Sequence, residues 1–241
     1  MIRVYQGDNL KVLSMLQEQF FDAVITDPPY ASGASTKAGK AAPTSVKYTN
    51  RKKDSPYPDF AGDSVDQRVW MLWMIDVFRA AIDLCNPGAV IAAFCDWRQL
   101  PALSDAIQRA GWIWRGIAVW DKVSSRPQRG RFRNQAEYIV WGSKGDLHSD
   151  RPVGVLPGVY RYPNVQTNQR LHQTQKPLQL MQDVIRLCVP GGAILDPFCG
   201  SGSTLEAARL QGYDAVGIEL VPSIAQVAAK RLNTLLQQLS Q

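Results

Sequence analysis

Apolar positions along the chain fall into two alternating rhythms. Seven short runs rich in β-branched and aromatic residues, bounded by turn formers, predict strands: IRVYQ, DAVIT, GAVIAAFC, WIWRGIAVW, AEYIVWG, AILD and DAVGIE. Between most of them apolar residues recur at helical spacing, which predicts helices over 9–18, 63–84, 99–110, 177–188, 203–211 and 222–239. The second starts on an Asp-Ser pair and stops at Asn86-Pro87-Gly88. The last has Pro222 in its first turn and a stripe of Ile224, Val227, Ala228, Leu232, Leu235, Leu236 and Leu239 that reads as core.

Strands alternating with helices imply an α/β fold, a largely parallel sheet covered by helices on both faces. WIWRGIAVW and AEYIVWG are joined without a helix, so part of the sheet is expected to be antiparallel. Residues 31–60, rich in Gly, Ser, Lys and Pro, and residues 142–173 fit neither rhythm. Loops of that length in a compact domain are usually functional or disordered. No repeat and no long linker divides the chain, so its 241 residues read as one domain, 1–241.

Composition narrows the class. Apolar residues at 45% and charged residues at 20% are ordinary for a folded protein. No apolar run is long enough to span a bilayer, and MIRVYQGDNL has neither the basic cluster nor the apolar stretch of a signal peptide. A cytoplasmic location with no membrane partner is therefore expected. Cys85, Cys95, Cys188 and Cys199 lack CxxC spacing and have only His148 and His172 as imidazole partners. That disfavours a disulfide scaffold and a zinc site alike, and no metal is expected.

The net charge of +6 and the isoelectric point near 9.2 suggest an acidic partner. Distribution says more than the total. Lys37, Lys40, Lys47, Arg51, Lys52 and Lys53 gather in residues 31–60, and Arg126, Arg129, Arg131 and Arg133 alternate through RPQRGRFR. Taken alone, each run reads as a solvated charged face.

Two stretches carry candidate chemistry. In AILDPFCGSGST a strand ends at Asp196, a turn carries Gly200 and Gly202, and an Ala-rich helix follows. Such glycines let a ligand approach the backbone beside a helix N-terminus. The next strand, DAVGIE, ends on Glu219, where an acidic side chain can accept from both hydroxyls of a ribose. Leu205 stands where a GxGxxG fingerprint needs its third glycine, and no GK[ST] is present, so a nucleoside ligand without phosphate fits best. A plain tight turn remains the competing reading.

The other stretch is DPPY, Asp27 to Tyr30, at the end of DAVIT. Open α/β sheets place their ligand sites at the carboxyl ends of strands. Two prolines stiffen the backbone and remove two N–H donors, so the stretch offers only acceptors beside an aromatic face. That suits a planar group with an exocyclic NH2. A stiff turn without a ligand is the alternative.

DPPY after a strand and DPFCGSG before a helix resemble the catalytic and methyl-donor motifs of amino-group DNA methyltransferases, and their order resembles the permuted β class. GDNLKVL, WDKVSSRPQRGRFRNQAEYIVWGSKG and HQTQKPLQLMQDVIRLC are similar to further motifs of that family, so the resemblance covers most of the chain. It implies a Rossmann-like methyltransferase fold with a mostly parallel seven-stranded sheet, and S-adenosylmethionine as cofactor. It implies catalytic roles for Asp27, Pro28, Pro29 and Tyr30. Asp196, Phe198, Gly200, Ser201 and Gly202 would line the methionine side of the cofactor, Glu219 would hold the ribose and Asp8 would accept from the adenine amine. Thr174 and Lys176 would support the methionine end from the other side.

The same resemblance implies a mechanism and a partner. Asp27 and the Pro28 carbonyl would accept both hydrogens of a base amine, drawing its nitrogen toward a tetrahedral geometry for attack on the sulfonium methyl. The base would be flipped out of the duplex and stacked on Tyr30. Double-stranded DNA is the implied substrate, single-stranded DNA a second form of it, and a homodimer the assembly seen in many relatives. In that setting Arg126, Arg129, Arg131, Arg133, Lys52 and Lys53 read as phosphate contacts. Asp before Pro-Pro-Tyr leans toward adenine N6 and Ser there toward cytosine N4, so adenine is the expected base. Only residues 142–173 remain as a DNA-recognition region, beside the basic insertion 31–60, so short or relaxed specificity is expected. An RNA base methyltransferase, a DNA-binding subunit without catalysis and a small-molecule amine methyltransferase are the competing functions.

Overall fold

The computed structural model describes residues 1–16, 20–31, 65–123, 129–147, 150–165 and 175–234, with the backbone of Leu236–Gln238. Thr174, Arg126, Lys52, Lys53, the other basic residues of 31–60, His148 and His172 lie outside the described residues.

All seven expected strands form: β1 (Ile2–Gln6), β2 (Phe21–Thr26), β3 (Cys85–Cys95), β4 (Ile113–Asp121), β5 (Ala136–Ser143), β7 (Ala193–Asp196) and β8 (Asp214–Glu219). Two three-residue strands, β6 (Val159–Arg161) and β9 (Leu236–Gln238), extend the sheet at its edges, so among the described residues it has nine strands where seven were expected. Their order is β6-β4-β5-β3-β2-β7-β8-β1-β9. Only β5 runs against its neighbours, β3 and β4, which is the antiparallel part that the helix-free connection requires.

Both edge strands correct the sequence reading. β6 arises within the stretch expected to fit no element. β9 lies where a continuous helix over 222–239 was expected. The helix stops because Asn233 adopts a left-handed conformation (φ 50°), and the Thr234 hydroxyl then donates to the Ile2 carbonyl, which sends the chain along β1. Val227 of the expected core stripe is exposed, whereas Ile224, Ala228 and Leu232 are buried.

Helices cover both faces: α1 (Asn9–Met15), α2 (Gln67–Asp83), α3 (Leu100–Arg109), α4 (Leu178–Val184) with a 3₁₀ turn (Ile185–Leu187), α5 (Ser203–Leu210) and α6 (Pro222–Leu232). α2 starts where the Asp66 carboxylate accepts from the Arg68 and Val69 backbone N–H groups, three residues beyond the expected start. Asn86 and Pro87, expected as part of its stop signal, belong to the first residues of β3, where a proline is tolerated.

Alternation along the buried strands divides the core in two. Val24, Ile91 and Ala93 face Trp70, Met74, Phe78, Leu103 and Ile107 of α2 and α3. Ala23, Ile25, Val90 and Ala92 face Leu180, Met181, Leu205, Ala208 and Ala228 of α4, α5 and α6. A strand buried on both faces reads as an unbroken apolar run, as DAVIT and GAVIAAFC do. Each fully buried Leu, Ile or Phe of these layers contributes about 1.5–3 kcal/mol.

For function the decisive pairing is β2 with β7, parallel neighbours with Ala23 opposite Ile194 and Val24 opposite Leu195. This register brings the carboxyl ends of both strands, and so DPPY and DPFCGSG, side by side.

Candidate functional site

β2 ends at Thr26 and the chain turns through Asp27-Pro28-Pro29-Tyr30. Side chains of the α2–α3 layer hold this turn: the Trp70 indole N–H donates to the Pro29 carbonyl at 2.5 Å, and the Gln99 amide donates to the Tyr30 carbonyl at 2.8 Å. No donor among the described residues reaches the buried Pro28 carbonyl. The prolines themselves lack N–H groups, so the turn keeps one backbone acceptor next to the Asp27 carboxylate.

β7 ends at Asp196, whose Oδ1 accepts from the Thr26 hydroxyl at 2.6 Å and from the Phe198 N–H at 3.1 Å. The loop then folds back over β8, with the Cys199 N–H donating to the Ile218 carbonyl at 2.9 Å. Gly217 makes that seat, because a Cβ there would stand 2.7 Å from the Cys199 Cβ. At the end of β8, Glu219 accepts from the Val221 N–H at 2.8 Å. Burial pushes the Asp196 carboxyl up to about 6, against hydrogen bonds from Thr204, Thr26 and Phe198 that favour its ionised form. Burial likewise raises Glu219 to about 6. The Cys199 thiol is pushed well above its ordinary range by burial and then by Asp196, so a thiolate nucleophile is disfavoured there.

The two strand ends open into one cavity of about 440 Å³. Its walls gather Asp27, Pro28, Pro29, Tyr30, Asp196, Phe198, Gly200, Ser201, Glu219, Asp8 and Lys176. Asp8 also caps α1 by accepting from the Lys11 N–H, and Phe198 meets the ring of Trp73 edge-on at 5.3 Å. Gly202 is outside the lining. It begins α5 with φ 82°, and a Cβ there would stand 3.3 Å from side-chain atoms of Ala228 and Leu232, so its smallness serves the packing of α5 on α6. Arg129, Arg131 and Arg133 are exposed, on the loop whose following residues Asn134, Ala136 and Glu137 reach the cavity wall.

Lys176, expected to support the methionine end of the cofactor, lines the same cavity and makes its closest contacts with the DPPY turn. Its buried ammonium donates to Asp27 Oδ2 at 2.5 Å and to the Tyr30 hydroxyl at 3.0 Å, and stands 3.3 Å from Glu137 Oε2. The rings of Tyr30, Phe94 and Trp120 surround it at 5.2, 5.2 and 5.8 Å. Two carboxylates and three ring faces compensate its lost hydration. Lys122 completes the group, 3.1 Å from Glu137 Oε1, so two acids face two lysines.

The electrostatics of the group are divided. Burial raises the Asp27 carboxyl despite Lys176 beside it. Burial alone would also raise Glu137, but Lys176 and Lys122 outweigh it and hold that carboxyl below its usual range. Burial, then the charges of Asp27 and Glu137, push the Tyr30 phenol well up, so it stays protonated. Burial disfavours the Lys176 ammonium, yet the two carboxylates more than offset this and raise its value.

Sequence reasoning missed Glu137, Lys122, Trp120 and Gly217. Glu137 and Lys122 did carry a signal, a charged residue at the outer end of an apolar strand run, but nothing local says that β4 and β5 bring them together. The arrangement can hold a planar amine against Asp27 and Pro28, and a nucleoside along the Asp196 to Glu219 wall.

Comparison with known proteins gives the chain a family. The model of the N6/N4 methyltransferase family, described as DNA methylase, matches residues 21–230. YubD of Escherichia coli (strain K12) is 27% identical over 234 residues, covering 96% of this chain and 90% of that protein. The type II methyltransferase M.ScaI of Streptomyces caespitosus is 27% identical over 277 residues, covering 99% of this chain and 83% of that protein. Among solved structures, an M1.HpyAVI–SAM complex has a TM-score of 0.70 at 24% identity, covering 97% of this chain and all of that one. The cytosine-N4-specific PvuII DNA methyltransferase has a TM-score of 0.72 at 18% identity, covering 95% of this chain and 86% of that one.

Proposed function

This chain belongs to the N6/N4 family of DNA methylases, and from that premise we propose that it methylates the N6 amine of adenine in DNA. The observation that carries the reading is the shared cavity, in which the Asp27 carboxylate and the Pro28 carbonyl stand beside the wall formed by Asp196, Gly200 and Glu219.

The residues present suit S-adenosylmethionine, the cofactor of this family. Its ammonium, sulfonium and ribose hydroxyls call for acceptors and negative charge, which Asp196 and Glu219 offer. Gly200 leaves open space, with nothing within 4 Å of where a Cβ would stand. When bound, the cofactor supplies an electrophilic methyl group.

The chain's own part is to prepare the amine. Asp27 and the Pro28 carbonyl would accept its two hydrogens, so the nitrogen lone pair would be withdrawn from the ring and freed to act as a nucleophile. Positive charge would develop on a nitrogen that takes up a methyl group while the donor sulfonium leaves as a neutral thioether, and fixed acceptors would stabilise that charge more than they stabilise the neutral amine. Asp27, raised by burial, can take the proton that the methylated amine sheds. The Tyr30 ring supplies a stacking face for the flipped base.

Adenine is preferred over cytosine because Asp stands before Pro-Pro-Tyr. Mass spectrometry of nucleosides from DNA treated with the purified chain and S-adenosylmethionine is expected to find N6-methyladenine, and N4-methylcytosine in its place would overturn the choice of base. Short or relaxed specificity is supported by the described part of residues 142–173, which contains the end of β5, a loop and the three-residue β6. Sequencing of the treated DNA would sink that expectation if every modified base lay in one site of five or more fixed positions.

A further inference from the structure

The Tyr30 hydroxyl stands 2.7 Å from Asp27 Oδ1 and 2.9 Å from Glu137 Oε2. A phenol has one hydrogen, so it can serve only one of the two acceptors at a time. Its oxygen already accepts from Lys176 at 3.0 Å, which leaves that hydrogen to choose between the carboxylates. When it points to Asp27, both oxygens of Asp27 are engaged, Oδ1 by the phenol and Oδ2 by the Lys176 ammonium at 2.5 Å. An amine arriving at Asp27 then finds one lone-pair site of Oδ1 already taken by the phenol, and that oxygen is a weaker acceptor for it than when free.

The alternative acceptor is already in place. Glu137, the second residue of β5, lies opposite Trp120 of β4, and Lys122 at 3.1 Å and Lys176 at 3.3 Å fix its two oxygens. Turning the phenolic O–H from Asp27 to Glu137 is rotation about one C–O bond and needs no heavy atom to move.

Resting on the amine-methylating reading above, we propose that Glu137 is a positioning residue that takes the Tyr30 hydrogen bond when the substrate amine arrives, leaving Asp27 Oδ1 to the amine. The hydroxyl is a two-position latch, donating to Asp27 in the empty site and to Glu137 in the occupied one. No proton is transferred in this exchange. Lys122 and Lys176 keep Glu137 ionised, so the second position is always open.

The test is a double-mutant cycle read by single-turnover methyl transfer, with cofactor affinity measured by calorimetry. Glu137→Gln is expected to slow transfer roughly 10- to 100-fold, the fold-change equivalent to one charge-assisted hydrogen bond, with little change in cofactor affinity. Tyr30→Phe in that background removes the hydroxyl, whose second acceptor is weakened from a carboxylate to a neutral amide oxygen that Lys122 and Lys176 also claim, but keeps the ring. The double variant is therefore expected to be faster than Glu137→Gln alone. Glu137→Asp keeps the charge facing both lysines but shortens the reach to Tyr30, so it should show the same pattern more weakly and serves if Gln disturbs folding. Additive losses in the double variants, or a Glu137→Gln chain as fast as wild type, overturn the proposal while wild-type transfer stands. Absence of transfer by the wild-type chain overturns the methylation reading itself and this proposal with it.

Discussion

Thr26 on β2 and Asp196 on β7 are 170 positions apart, yet a buried 2.6 Å hydrogen bond joins the Thr26 hydroxyl to the Asp196 carboxylate. It ties the strand that delivers DPPY to the strand that delivers the glycine loop, at the level where both strands end. Thr26→Val keeps the shape and deletes the donor. A hydrogen bond to a charged group contributes about 1.5–3 kcal/mol, so urea unfolding should show a loss of that order at unchanged slope. Unchanged stability would mean that the link contributes nothing.

Asp196 makes the empty protein sensitive to pH. Burial raises its carboxyl from 3.8 to about 6, so the folded chain holds this proton more tightly than the unfolded chain does. The stability that follows is fully present below the ordinary carboxylate value and is lost as pH rises through about 6. At pH 8 the fold therefore carries a buried carboxylate at a cost. Asp196→Asn keeps an Oδ1 for Thr26 and Phe198 and removes the charge. Without cofactor it should melt above wild type at pH 8, with a gap that narrows toward pH 5, while binding S-adenosylmethionine more weakly. Parallel melting temperatures at the two pH values would contradict this account.

Asp27 and Lys176 touch, but their losses should differ. On the proposed reading Asp27→Ala removes an acceptor for the amine, and loss of one such group costs on the order of 100-fold or more in rate. Its cofactor affinity should survive, since Asp196, Gly200 and Glu219 remain. Lys176→Met leaves the Asp27 and Glu137 carboxylates buried around one phenol with their shared cation gone, which should destabilise the fold by about 3–5 kcal/mol. Transfer assays paired with denaturant melts distinguish the cases. Equal stability loss in both variants would show that Lys176 does not compensate the pair.

Gly200 and Gly202 belong to one motif and should fail differently. Both have left-handed backbones, φ 51° and 82°, so any side chain adds strain of about 1–3 kcal/mol. Beyond that, Gly200→Val meets open space at the cavity wall and should abolish cofactor binding with little further loss of stability. Gly202→Val presses on Ala228 and Leu232 and should lose more stability. Melting temperature and cofactor affinity, measured on both, should rank them in opposite orders. The same order in both measurements would reject the distinction.

The strands were legible because each buried one is an unbroken apolar run closed by Gly, Pro or Asp. DPPY and DPFCGSG were legible for a related reason: proline, glycine and a carboxylate at a strand end leave marks that no packing context alters. Lys176 and Glu137 were different. Lys176 was visible in HQTQKP, but its position on Asp27 depends on how the chain before α4 crosses the ends of β3 and β4. Glu137 read as the first polar residue of AEYIVWG until the antiparallel register set it opposite Trp120. Partnerships made by register between distant strands leave no local trace. β9 was hidden similarly, since a left-handed Asn233 interrupts a stripe whose periodicity continues past it.

Arg129, Arg131 and Arg133 are exposed on the loop that leads into Glu137, with the ring of Phe132 also exposed among them. Arginines that meet phosphates lower the affinity for DNA as salt rises, with a slope in log units of about 0.9 for each contact. Replacing all three with Gln should therefore flatten the salt dependence by about 0.9 for every arginine that meets a phosphate, and leave affinity for S-adenosylmethionine unchanged. Phosphate contacts carry no sequence information, so the bases flanking the methylated position should be the same for the variant and the wild-type chain. Filter binding over a salt series and sequencing of methylated DNA provide the two readouts. An unchanged slope would remove these arginines from the DNA interface, and altered flanking bases would mean that they read base edges.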